Sequence, residues 1–240
     1  MTHQGRSNGS EHVGLLVPWA NMAVEAELHR VTGDHVIWHY ARLVPPSHTT
    51  ALDGRFLTGL LSAVPEALGQ LAALPLSRTY LACTSAAFMY PEAAGQASHP
   101  VSPGGPQLVS AFGALITVLS DLSATAVVLL TPYPADVTNA EASMFAAEGI
   151  TVTAQACLGL EDGYGSITYR QIMALLRNIN RASVAEANAI VLSCTGWPTF
   201  GLIPELQRRL GKPVISSNSA IGLHALRKGS DADQPHHRAS

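Results

Sequence analysis

The chain has 240 residues, of which 47% are hydrophobic and 13% charged, with a formal charge of −3 at pH 7. That length fits one large α/β domain or two small ones with a sizeable core, and the absence of a basic footprint argues against nucleic acid as a partner. No apolar run is long enough to span a bilayer, and three cysteines at no metal-like spacing argue against a disulfide framework. A cytoplasmic protein with reduced thiols is expected.

In chain order, residues 1–11 are polar, lack the apolar centre of a signal peptide and read as a disordered leader. Residues 13–17 form a short buried strand ending at Pro18, followed by a helix over 21–30 with Asn21 near its cap. A second strand over 36–43 leads into the loop opened by Pro45, Pro46, Ser47 and His48. Residues 57–74 are helical in pattern, kinked or divided at Pro65. A strand over 79–82 delivers Cys83, and residues 90–106, rich in Pro, Gly, Ser and Ala, read as a surface loop or lid. A helix over 108–119 then leads to an apolar strand over 126–130.

The pattern then begins again. Thr131-Pro132-Tyr133-Pro134 closes a strand as Val17-Pro18-Trp19 does, a helix covers 137–148, a strand 150–158 and a long helix 167–184. The strand over 189–193 delivers Cys194; the interval from Pro18 to Cys83 is 65 positions and that from Pro132 to Cys194 is 62. Near-equal spacing of like elements is the mark of internal duplication. A last strand over 213–216 and helix over 220–228 are expected to return to the first half, and the tail over 229–240 to be disordered. The expected fold is α/β, with two flavodoxin-like three-layer lobes, parallel sheets related by a pseudo-twofold axis and an active site in the cleft between them. The first lobe is assigned to 12–107 plus 213–228 and the second to 108–212.

Both cysteines close an apolar strand and precede a hydroxyl: Tyr80-Leu-Ala-Cys83-Thr84-Ser85 and Val191-Leu-Ser-Cys194-Thr195-Gly196. In a parallel sheet the carboxyl ends of strands are where ligands bind, and the amides that open the next helix receive anions. Two thiols facing one cleft suit two chemistries. They can move a proton between the faces of a carbon acid, or one can add to an electron-poor double bond so that the central bond rotates before elimination. Either route asks for donors at carboxylate oxygens rather than a cofactor, and Thr84, Ser85, Tyr133, Thr195 and neighbouring amides supply them. Cys157, inside a strand without a hydroxyl companion, reads as core, and Glu25 and Glu27 as solvated helix surface. His35 and His39 alternate along a strand rather than forming a ligand pair, so no metal is expected. Gly104-Gly105-Pro106 follows no strand and makes no phosphate loop.

On Val17-Pro18-Trp19-Ala20-Asn21, Cys83-Thr84-Ser85, Thr131-Pro132-Tyr133-Pro134, Cys194-Thr195-Gly196-Trp197-Pro198-Thr199 and Lys212-Pro213-Val214-Ile215-Ser216-Ser217-Asn218, the chain resembles the aspartate/glutamate racemase superfamily. Within it, the resemblance is to the branch of maleate cis-trans isomerases and arylmalonate decarboxylases. This implies a cofactor-free homodimer or homotetramer acting on a small carboxylate. By position, Cys83 would be the nucleophile and Cys194 the acid/base, with Asn21, Thr84, Ser85, Tyr133, Thr195 and Gly196 binding substrate. Two cysteines and Asn21 favour the isomerase or racemase side, with maleate-to-fumarate isomerisation as the main reading. The alternatives are a two-thiol racemase (including the ectoine-utilisation type), an arylmalonate-type decarboxylase and a non-catalytic carboxylate-binding protein. The chain departs from the resemblance at Gly163, where a substrate-holding Asn would stand, and places Asp162 beside it.

Overall fold

The computed structural model describes residues 10–90 and 107–227. Two four-stranded sheets, all parallel, have the same strand order: β2-β1-β3-β4 and β6-β5-β7-β8. The first contains β1 (Glu11–Pro18), β2 (Val36–Leu43), β3 (Arg78–Leu81) and β4 (Gln107–Ser110), and the second β5 (Ala126–Thr131), β6 (Thr151–Cys157), β7 (Ala189–Leu192) and β8 (Val214–Ser216). Central strands β1, β3, β5 and β7 are runs of buried aliphatic and aromatic side chains, as expected where helices cover both faces of a parallel sheet. The fold is therefore the two-lobe α/β arrangement that the repeat implies.

Three elements differ from the sequence expectation, and the choice left open at Pro65 resolves to a division. Residues 107–110 are strand β4, and the helix (α5, Ala111–Asp121) starts only after it, with the Ser110 side chain accepting from Gly113 N–H as its cap. The helical region 57–74 is two helices, α2 (Gly54–Ser62) and α3 (Val64–Leu71), with Pro65 in the first turn of the second, where its missing N–H costs nothing. The long helix over 167–184 is likewise two, α7 (Tyr169–Arg177) and α8 (Arg181–Glu186), broken where the Asn180 side chain caps the second. Strand β8 pairs with β7 in the second sheet and does not return to the first. Only the helix after it, α10 (Ser217–Ala225), reaches back, packing on α1 (Ala23–Thr32) and α5. A Cβ at Gly222 would lie 2.6 Å from Val31 Cγ1, so this position must be bare for α10 to approach α1.

Smaller corrections follow from local packing. The first strand begins at Glu11, two residues before its apolar core, because Glu11 and His12 already pair with Val36 and Ile37. Residues 1–9 of the leader, residues 91–106 of the loop and residues 228–240 at the tail lie outside the described residues. Cys157 is only half-buried, since β6 is the edge of its sheet. Among the described residues no helix is long and apolar enough to cross a membrane.

Candidate functional site

Because both sheets are parallel and share one strand order, β3 and β7 end on the same side of their lobes, and the two ends meet. Cys83 follows β3 and opens the short helix α4 (Thr84–Met89), whereas Cys194 follows β7 and opens an irregular segment. Both thiols are buried and both line one cavity of about 280 Å³. Asn21, Thr84, Ser85, Tyr133, Thr195 and Gly196 line it too, so every residue singled out from the sequence is brought to one place.

Sequence reasoning did not identify the apolar wall of Met22, Leu52, Phe56 and Tyr164, or Thr50 at the mouth. These stand on loops and on α2, where no motif distinguishes a cavity residue from a core one. No Lys, Arg or His is among the described lining residues, and Asp162 is the one acid. Asp162 accepts from Thr50 Oγ1 at 2.5 Å and from Gly163 N–H at 2.6 Å, while Leu52 N–H donates to Glu161 O at 2.7 Å. The bonds from Thr50 and Leu52 strap the loop after β2 to the loop after β6 across the cleft. Gly163 has φ +74°, a conformation that an Asn tolerates less readily than Gly.

The thiols are set differently. Burial pushes the Cys83 thiol up, opposed by the Ser85 hydroxyl, 3.6 Å from its Sγ, and by the amides of Ser85 and Ala86. Burial pushes the Cys194 thiol up to about 12, and the nearby Cys83 and Glu141 add to the rise, against the Tyr133 hydroxyl and the Gly196 N–H. That N–H donates to Cys194 Sγ at 3.2 Å, and a Cβ at Gly196 would lie 3.5 Å from the same sulfur. Burial, with the Cys194 and Glu141 charges, likewise drives Tyr133 well above its usual range, so its hydroxyl is a fixed donor. Burial thus favours the neutral thiol at both cysteines, while the Ser85 hydroxyl and the Ser85 and Ala86 amides face the Cys83 sulfur.

Two hydroxyls hold the thiol segments together. Thr195 Oγ1 donates to Ala82 O at 2.7 Å and accepts from Asn21 Nδ2 at 3.1 Å. Ser217 Oγ accepts from Thr84 Oγ1 at 3.0 Å and from Cys194 N–H at 3.1 Å. Thr84 and Thr195 therefore join the lobes as well as lining the cavity. Asn21 also serves two ends, since its Oδ1 accepts from the amides of Ala23 and Val24 at the start of α1.

Of the two helix glutamates expected at the surface, one keeps that role and one does not. Glu25 pairs with Arg42 at the surface. Glu27 is 5% exposed, and its carboxylate accepts from Thr199 and Phe200. The signal for it lay in the repeat: Glu27 stands nine positions after Pro18, as Glu141 stands nine after Pro132. Glu141, on α6 (Ala135–Ala147), is fully buried beside Ser193, whose hydroxyl donates to it. Among the described residues no group of three or more His, Cys, Asp or Glu is placed to hold a metal ion.

The chain is similar to known proteins in sequence and in fold. The family model for arylmalonate decarboxylase matches residues 104–238. The chain is 28% identical over 240 residues to the maleate isomerase of Nocardia farcinica (strain IFM 10152), covering 91% of this chain and 90% of that one. It is 35% identical over 116 residues to the arylmalonate decarboxylase of Bordetella bronchiseptica, 48% of each chain. In fold it is similar to a cysteine-to-serine mutant of the Nocardia farcinica maleate cis-trans isomerase carrying a covalently bound succinylcysteine intermediate. That likeness has a TM-score of 0.81 at 24% identity and covers 91% of this chain and 92% of that one.

Proposed function

The chain belongs to the arylmalonate decarboxylase family, and from that premise we propose that it is a cofactor-independent cis-trans isomerase of a small unsaturated dicarboxylate, with maleate as the first substrate to try. The observation that carries the reading is the pair of buried thiols, one from each lobe, lining a single cavity. A decarboxylase of this family's kind needs one proton donor, and a second thiol with its own set of donors would have no task there.

In this reading the Cys83 thiolate adds to one alkene carbon of maleate, forming a C–S bond while the π pair moves onto the other carbon and its carboxylate. Cys194 gives that carbon its proton and becomes the thiolate. The central bond is now single and rotates. Cys194 then takes a proton back, the π bond re-forms, and the Cys83 thiolate leaves with fumarate as product. Asn21, Tyr133 and Ser85 would hold the carboxylate oxygens as charge moves onto them. The covalent succinylcysteine named for the Nocardia farcinica protein is the kind of intermediate this route requires.

The family-model match covers the half that contains Cys194, which keeps a second reading in view. Decarboxylation of a substituted malonate, with Cys194 protonating the resulting enolate, would call on that thiol alone. Proton NMR of purified protein with maleate, and separately with phenylmalonate, tests both. Fumarate from maleate, abolished by Cys83→Ser, is the expected result. Carbon dioxide and phenylacetate from phenylmalonate, with maleate untouched, would establish the second reading instead.

A further inference from the structure

We infer that Glu27 is a positioning residue for Cys194, holding the thiol of one lobe from the helix of the other. Its Oε1 accepts from Thr199 N–H at 2.6 Å and Phe200 N–H at 2.8 Å, and its Oε2 from Asn218 Nδ2 at 2.8 Å and Thr199 Oγ1 at 3.3 Å. Glu27 lies on α1, packed in the first lobe, whereas all these donors follow strands of the second sheet. A buried carboxylate is costly unless its oxygens are satisfied, and here every partner is a donor.

The same donors define where Cys194 sits. Thr199 and Phe200 end the irregular segment that Cys194 begins, and without a helix of its own that segment has few internal bonds to hold it. Asn218 Nδ2 also reaches Thr195 O at 3.3 Å, and the neighbouring Ser217 accepts from Cys194 N–H. Glu27 therefore anchors the segment at its far end directly and at Thr195 through one amide. Its counterpart in the repeat, Glu141, also acts on this thiol, through Ser193 immediately before it. Both acids of the duplicated unit converge on Cys194, whereas Cys83 is followed at once by α4, which supplies its own backbone bonds. The asymmetry matches the reading above, on which this inference rests: Cys194 must deliver a proton to one carbon and take one back, so its sulfur needs a fixed place.

The test is Glu27→Gln, which keeps the shape but turns an amide N–H toward groups that also donate. Turnover of maleate and site-resolved alkylation of Cys83 and Cys194 by iodoacetamide, read by peptide mass spectrometry, are measured together. The expected result is a fall in kcat of roughly tenfold or more with KM within about threefold, as for a misplaced reacting group. The ratio of Cys194 to Cys83 alkylation should shift by about fivefold or more on the same ground. Asn218→Ala, which leaves the Glu27 bonds to Thr199 and Phe200 in place, should shift that ratio in the same direction and covers the case in which Glu27→Gln does not fold. An unchanged ratio in whichever of these variants folds would overturn the inference. If the unaltered protein turned over no cis-enedioate, the proposed reaction would fall, and the alkylation ratio would still decide the role of Glu27.

Discussion

The Thr195 hydroxyl donates to the Ala82 carbonyl across the two lobes, joining the residue after one thiol to the residue before the other. Through that bond, relative movement of the lobes becomes relative movement of the two sulfurs. Thr195→Val should leave the Ala82 carbonyl and the Asn21 amide buried without these partners. The expected loss is about 1–3 kcal/mol, read as a fall in urea midpoint, with turnover reduced in parallel. Thr195→Ser keeps the hydroxyl and should retain most of both.

The two thiols should fail in different ways when replaced. Cys83→Ser removes the nucleophile and should abolish isomerisation. Cys194→Ser leaves addition possible, with water protonating the carbanion, but removes the base that takes the proton back, so intact-mass measurement should find substrate carbon attached at Cys83. Absence of that adduct together with unimpaired turnover in Cys194→Ser would sink the assignment of roles. In the unaltered protein kcat/KM should rise with pH above neutral. Burial raises the Cys83 thiol, so alkali supplies its anion, while Cys194 keeps its proton until about 12.

Glu141 should leave a signature in stability against pH. Burial lifts its carboxyl to about 8, above its unfolded value of about 4.3, so the folded chain binds this proton more tightly. The stabilisation is complete below the unfolded value and is lost as pH rises through about 8. Urea denaturation at acid and alkaline pH should show the unaltered protein weakening over that window. Glu141→Gln should weaken less, by up to about 5 kcal/mol. Parallel pH profiles for the two proteins would show that Glu141 is not the group responsible.

Asp162 lines the mouth with a carboxylate and has no cationic neighbour among the described lining residues. For a dianionic substrate, Asp162→Asn should lower KM by roughly twofold to tenfold with little change in kcat, an effect of about 1 kcal/mol between partly solvated charges. Raising the salt concentration should narrow the difference between the two proteins. A KM that rises in the variant would instead give Asp162 a part in holding the substrate.

The sequence carried the parts of this site that depend on local pattern. A strand that must be buried on both faces is written as an apolar run, and a thiol at its carboxyl end is placed by the strand itself. For that reason Cys83, Cys194 and Tyr133 could be read in advance, along with the repeat that relates their halves, whereas a binding role for Asn21 came only from the resemblance. The strand at 107–110 was not legible, because Leu108 and Val109 continue without a break into the apolar pattern of α5. Nor was the break between α7 and α8, where a capping Asn outweighs a helical periodicity that runs on either side.

What the sequence determined by itself was the duplicated α/β unit and the identity of two thiols at matching strand ends, since both follow from periodicity and spacing along the chain. The tertiary structure alone decided the rest: that β8 completes the second sheet while α10 packs on the first lobe, that Thr195 and Ser217 join the thiol segments, and that Glu27 is buried at the junction. Those outcomes depend on contacts between residues as far apart as Glu27 and Asn218. A helix glutamate looks the same in sequence whether water or four buried donors surround it, and only the packing of the lobes supplies the donors.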